Sequence, residues 1–425
     1  MADIARRLVM GGGLAAGAAA SLAACSNANG APRMGHPGPP TPTGSSIAAP
    51  TVTKLIGDGS TSDTGPQPHQ PTWRTLEPGD TPPQLVVISW DGAGNLKGKM
   101  LLDRFRGIAK DTGASMTLFL SGLWFLPSRK KSLYHPPNKP VGASAIGYFD
   151  DHSVHETIRG IGQAWHEGHE IGTHFNGHFC DPKGVGSWTP EQWKDEIAQA
   201  KSFVKNWKTN TGFTDLPALP FDYEKELVGS RAPCLQGSEN LRIAASQLGW
   251  RYDSSANGVQ MWPKKVRNLW AVDLQSIPFA GHGTRSVLSM DYNLMYNQSK
   301  VTQGPASMHA TWKQQAIDSY MAGFNRVYES NRAPLIIGNH FETWNAGIYM
   351  DAVEEVMHQV SKKPDTHIVS FRQLADYLDL QDPAILARLR TLPFGTKPPG
   401  GWSEFLQPLT GAAAAAADKA DTLPT

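Results

Sequence analysis

The sequence predicts an α/β fold, most simply a single barrel of parallel βα units. Two observations carry this. Across residues 84–385, short apolar runs alternate with segments of helical period. Asp91, His174, Arg231 and His340 each stand where such a run ends. Sites in βα folds gather in the loops after the C-terminal ends of the strands.

Taken in order, "LVVIS" reads as a strand, and "LLDRFRGIAKDTG" as a helix stopped by Gly113. "SMTLFLSGLW" is again strand-like. "FDDH", Asp150 to His152, opens the helix "SVHETIRGIGQAWHEG", and the short strand "HEIGTH" follows. Thr189 caps "EQWKDEIAQAKSFVKNW", with Pro190 in its first turn. Next come "ELVGSRAP", the helix "SENLRIAASQLGW", the long helix "TWKQQAIDSYMAGFNRVYESN" and the strand "PLIIGNH". "MDAVEEVMHQVSK" and "HIVSFRQLADYLD" complete the alternation.

The ends of the chain read differently. In residues 1–25, Arg6-Arg7 precede an Ala/Gly-rich apolar stretch that ends in "LAAC", the pattern of an export leader. Cys25 after Leu-Ala-Ala resembles a bacterial lipobox, which implies lipidation there and a place at the outer face of the cytoplasmic membrane. No other stretch reaches the roughly 18 apolar residues of a span. Residues 26–83, rich in Pro, Gly, Ser and Thr, read as a flexible tether, and 386–425 as a tail. With 39 basic and 38 acidic residues among 425, nothing suggests a nucleic-acid surface. The 13 tryptophans fill a core or line a sugar cleft.

"GHEIGTHFNGH" places His174 and His178 four apart, the spacing that on a helical turn aims two imidazoles at one ion. An isolated pair of this kind is weak evidence. Its position after a strand, with Asp91 and His340 in equivalent positions, gives it weight.

The order of an acid after a strand, HxxxH, "RAP" and a late strand ending in His resembles the polysaccharide deacetylases of the NodB-homology group (carbohydrate esterase family four), most of all their chitin-deacetylase-like branch. "SWDG", "HFNGH", "RAP", "YDSSANGVQMWP" and "NRAPLIIGNH" carry the likeness. It implies a distorted (β/α) barrel, a divalent ion such as zinc on His174 and His178, and deacetylation of a polysaccharide by a monomer. It also implies Asp91 as base, His340 as acid and Arg231 holding Asp91, against a plain salt bridge for Arg231. Asp253, with Asp273 as its competitor, would orient His340, while Pro233 and Trp262 would line the cleft unless Trp262 is core.

One departure matters. The first family motif reads Thr-Phe-Asp-Asp, and here Gly92 follows Asp91. Aligned along the strand, Asp91 is the base and the ligand carboxylate is missing. In the other alignment Asp91 is the third ligand and Trp90 stands in place of the base. A weakened, glycan-binding relative and an O-acetyl esterase therefore stay open as alternatives. Cys180 and Cys234 lie just beyond His178 and Arg231, on loops leaving one rim, so a disulfide between them is expected if the two strands are neighbours. Two unrelated thiols are the alternative.

Overall fold

The computed structural model describes residues 53–407 apart from Lys97. The leader, Cys25, residues 26–52 and residues 408–425 lie outside the described residues. The central sheet is built from β1 (Gln84–Ala93), β2 (Thr117–Leu120), β3 (Glu170–Thr173), β4 (Gly229–Ser230), β5 (Tyr252–Asp253) and β6 (Leu269–Ala271). Three later strands are β7 (Leu274–Pro278), β8 (Leu335–His340) and β9 (Thr366–Val369). Its order is β8-β1-β2-β3-β4-β5-β6, all parallel, with an antiparallel edge strand at Lys264–Val266. β9 pairs with the first half of β1, on the side where β2 takes over further along.

β7 belongs to a separate small sheet. That sheet reaches β8 through Gln275 Oε1, which accepts from Ile336 N at 3.2 Å, and Ser289 Oγ, which donates to Ile336 O at 2.6 Å. The result is a curled, incompletely closed (β/α) barrel. A sheet covered by helices on its outer face explains why the first half of β1 is apolar without alternation: Leu85, Val86, Val87 and Ile88 are all fully buried.

The helices begin where the sequence supplies caps. Asp150 caps α2 (Asp151–His166), its carboxylate accepting from Ser153 N at 2.7 Å. Thr189 and Gln192 form a capping box on α3 (Pro190–Lys205), with Pro190 in the first turn, and Gly113 at φ 65° ends α1 (Leu101–Thr112). α4 (Ser238–Gln247), α5 (Asp291–Gln298), α6 (His309–Tyr328), α7 (Ile348–Val360) and α8 (Phe371–Leu380) follow. Among the described residues no helix is long and apolar enough to cross a membrane.

Two boundaries need correction. The expected tether ends too late, because residues 53–83 are built into the domain. Lys54–Ile56 and Thr61–Asp63 pair as a hairpin. Ser62 Oγ donates to Leu219 O, Gln67 Nε2 to Trp165 O and His169 O, and Leu76 N to Gln381 Oε1. A polar segment that finds specific partners can be ordered without burying much apolar area, and composition does not reveal partners. The expected tail starts too early for the same reason. α9 (Pro383–Arg390) buries Leu386 and Leu389 and α10 (Trp402–Phe405) buries Phe405, with Leu392 and Leu406 buried just beyond their ends.

Trp73 tests the first correction. Its indole donates to Gln373 O at 3.1 Å and meets Tyr377 and His367 edge-on, with centroids 5.4 and 5.8 Å apart. Trp73→Ala should lower unfolding free energy by about 2 kcal/mol in a denaturant titration, somewhat less than for a fully buried aromatic. A tether residue would leave the midpoint unchanged.

Candidate metal and acid–base centre

Four strands deliver the site, β8 beside β1 and β3 beside β4, with β2 between the two pairs. β1 and β8 run in register, so Asp91 lies directly beside His340. His174 is the first residue past β3, its N–H donating to Leu120 O, and Arg231 is the first past β4, its N–H donating to Thr173 O. Side chains alternate along β1. Trp90 turns outward, stacked on Phe341 at 4.3 Å and against Phe105 at 4.1 Å. Ser89 and Asp91 turn inward to Arg231. Trp90 therefore does not stand at the centre in any alignment.

Arg231 is fully buried, and each of its three nitrogens donates at least one hydrogen bond. Its Nη1 donates to Asp91 Oδ1 and Ser89 Oγ, both at 2.8 Å; Nη2 donates to Ser254 Oγ and Nε to Ser254 O. The guanidinium lies 4.9 Å from the Phe119 ring centre and 5.6 Å from that of Phe371. Burial pushes the Asp91 carboxyl up, but the charge and hydrogen bond of Arg231, with the charge of His340, outweigh it and hold Asp91 below the ordinary carboxylate value. For His340 the balance goes the other way. Burial pulls its imidazole down, yet the charge and hydrogen bond of Asp291, with Asp91 behind them, raise it to about 9.

Asp291 is the residue that sequence reasoning missed. Its Oδ1 meets His340 Nδ1 at 2.8 Å, and its Oδ2 accepts from His340 N at 2.7 Å. It opens α5, directly after the short strand Ser286–Leu288, and an acid in that position was the available signal. The two residues expected to orient His340 lie elsewhere. Asp253 accepts from Arg242 Nε at 2.8 Å and from Ser255 Oγ, while Asp273 accepts from Arg242 Nη2 at 2.7 Å. Both are occupied in holding α4 to the sheet. Trp262 takes the core alternative: it is buried and does not reach the centre. Its indole donates to Asn331 O, and with Pro334 and Ile336 it lines a cavity of about 330 Å³ at the start of β8, the opposite end of that strand from His340. Pro233 is buried in the short turn after Arg231.

His174 and His178 do not share a helical turn. After β3 the chain is irregular, with Phe175 at φ 62° and His178 at φ 55°, and the rings still come within 5.1 Å. Buried Glu196 on α3 braces this loop: its Oε1 accepts from Asn176 N at 3.1 Å and from the Tyr134 hydroxyl, which itself accepts from Gly177 N. Burial raises the Glu196 carboxyl to about 7, against hydrogen bonds from Tyr134 and Asn176 that lower it.

His174 suits a cation. Its Nδ1 faces Arg231 O at 2.8 Å, and a carbonyl there puts the ring proton on Nδ1. Nε2 is left buried with no hydrogen-bond partner, the state of an imidazole oriented from behind for a metal. Burial lowers the basicity of both imidazoles, that of His178 to about 3, so both are neutral and have a lone pair to offer. The three-ligand set of the other alignment does not assemble. Among the described residues, the donor atoms that all lie within 4.8 Å of one another are those of His178, Cys180 and Cys234, not of His174, His178 and Asp91. Gly92 has no carboxylate to add, and Asp91 is held by Arg231. The residues thus fit a divalent ion held by two imidazoles.

Gly92 sits at a shift in register between β1 and β2, at φ 65°, with its carbonyl accepting from Trp124 Nε1 at 2.9 Å. A glycine at positive φ is what such a bulge uses. The structure joins Cys180 to Cys234, Cα atoms 6.1 Å apart, tying the loop after His178 to the one after Arg231.

No family model matches the chain, and no curated protein matches it. Solved structures do resemble it. A protein of Mycobacterium smegmatis described as a polysaccharide deacetylase superposes with a TM-score of 0.43 at 15% identity, over 73% of this chain and 95% of that one. The peptidoglycan deacetylase PdaC of Bacillus subtilis gives 0.36 at 11%, over 72% and 94%. A pseudoenzyme of the CE4 family from Bacillus anthracis gives 0.37 at 11%, over 71% and 70%. The chemistry rests on the site itself.

Replacing Asp291 with Asn removes the main source of the raised His340 basicity. The His340 imidazole should then titrate well below 9, toward its ordinary value near 6.5, when followed by proton NMR. An unchanged titration would mean that Asp91, not Asp291, sets it.

Proposed function

We propose that this chain is a metal-dependent hydrolase that removes acetyl groups from a polysaccharide. One observation carries the reading. On adjacent, in-register strands, Asp91 is held ionised by Arg231, and His340 is held protonated by Asp291. Two titratable groups pushed apart in this way are the mark of a base and an acid working together.

His174 and His178 would hold the ion, whose Lewis acidity would polarise the acetyl carbonyl. Asp91 takes the proton from the attacking water, its orientation set by Arg231. His340 gives its proton to the leaving nitrogen, or to the leaving oxygen of an ester. A sugar substrate is supported by an aromatic row that starts at the acid. Trp344 lies 5.3 Å from His340, Tyr292 5.7 Å from Trp344, and Tyr296 stacks 6.3 Å from Tyr292. Tyr292 and Tyr296 are 45% and 49% exposed, and the Lys300 ammonium lies 4.4 Å from the Tyr296 ring centre, so Tyr292 offers the more open surface to a pyranose ring. The lipobox-like Cys25 supports placing this activity at the cell envelope.

Gly92 favours a second reading, a glycan-binding protein with too few ligands to keep its metal. Metal analysis together with acetate release from N-acetylglucosamine oligomers and from O-acetylated xylan separates the two. The proposal expects bound zinc and acetate from the amide substrate. Acetate from the ester alone would make it an esterase, and none from either would leave only binding.

Asp91→Asn should slow turnover by about 10²–10⁴-fold while metal content persists. Loss of the metal as well would make Asp91 a ligand. Gly92→Asp should raise metal retention. A β-carbon at this position would meet only Trp124 Nε1, at 3.7 Å, and aspartate tolerates positive φ better than most residues. Unchanged retention on equilibrium dialysis would show that this position does not face the ion.

A further inference from the structure

We propose that the Cys180–Cys234 bond masks a second cation site, and that reduction turns its two sulfurs and His178 into a three-donor site for a soft divalent ion such as zinc. The three donor atoms already lie within 4.8 Å of one another. His178 Nδ1 is 3.6 Å from Cys180 Sγ. A tetrahedral ion with bonds of about 2.3 Å to sulfur and about 2.0–2.1 Å to nitrogen requires an S···N edge of about 3.6 Å, so this pair needs no rearrangement. The two sulfurs must separate once their bond is cut, and the Cα separation of 6.1 Å leaves room for an ion between them. Both cysteines are exposed, within reach of a small dithiol.

In the reduction, a dithiol supplies two electrons and two protons and becomes a disulfide. The Cys180–Cys234 bond breaks to give two thiols, and these release two protons as the ion binds their thiolates. Thiolate donors select zinc, or cobalt in its place, over the harder cations that oxygen ligands prefer. With three protein donors, the fourth position stays open. Where the proposed function holds, there is one consequence: His178 would be drawn from its pairing with His174, so the two sites would compete for one imidazole. The site itself does not depend on that reading.

The test uses the full chain and cobalt(II) alone. The protein is reduced with a dithiol, separated from it without air, and titrated with cobalt. The reduced protein should bind with a thiolate-to-cobalt charge-transfer band that the oxidised protein lacks, and reoxidation should remove the band. Cys234→Ser should remove most of it. His178→Gln should weaken cobalt binding by about tenfold or more, since losing a ligand costs no less than losing the group that orients one. A reduced, folded protein without the band overturns the proposal, as does a His178→Gln variant that binds like the parent. So does loss of the near-ultraviolet tryptophan signal on reduction, because the site requires the folded loops.

Discussion

The site depends on one buried ion pair, Asp91 with Arg231. Taking both charges out of water costs several kcal/mol per ion, and attraction alone repays this only when the remaining donors are also satisfied. Here they are. Ser89 on β1, Ser254 after β5 and the rings of Phe119 on β2 and Phe371 on α8 complete the shell around the guanidinium. Each of these groups comes from a different element. The pair therefore fixes how the strands sit against one another, and a slip of one residue in β1 would put Trp90 where Asp91 is.

The same arginine reaches the histidines through its backbone. Its carbonyl faces His174 Nδ1, which leaves Nε2 turned inward without a partner. The ionised base and the oriented imidazole are thus two consequences of placing one residue. On the other side of Asp91, Asp291 does for His340 what Arg231 does for Asp91, with opposite sign. The polarity of the centre, a low carboxyl next to a high imidazole, comes from which partner each group has and not from how deeply either is buried.

The loop that carries the histidines has no regular structure to hold it and is fixed from two sides. Glu196 and Tyr134 take up its free N–H groups from below, and the Cys180–Cys234 bond ties its far end to the turn after Arg231. These supports replace the helical turn that the HxxxH spacing suggests. They also allow His178 to adopt a left-handed backbone conformation that is costly for a residue with a β-carbon.

Much of this was legible in the sequence, for local reasons. Apolar runs and caps mark strands and helix starts through contacts between near neighbours, so the alternation, Gly113, the helix start at Asp150 and the Thr189 cap could be read directly. Asp91, His174, Arg231 and His340 were legible because the end of a strand is a position that the chain itself announces. What the sequence could not supply were pairings across the fold. Nothing near His340 in the chain points to Asp291 rather than Asp253. Nothing in Trp262 says which end of the barrel it faces, and nothing in the composition of residues 53–83 shows the hydrogen bonds that hold them. Strand ends and caps follow from period and local chemistry; partners follow from register and curl, which exist only once distant segments have met.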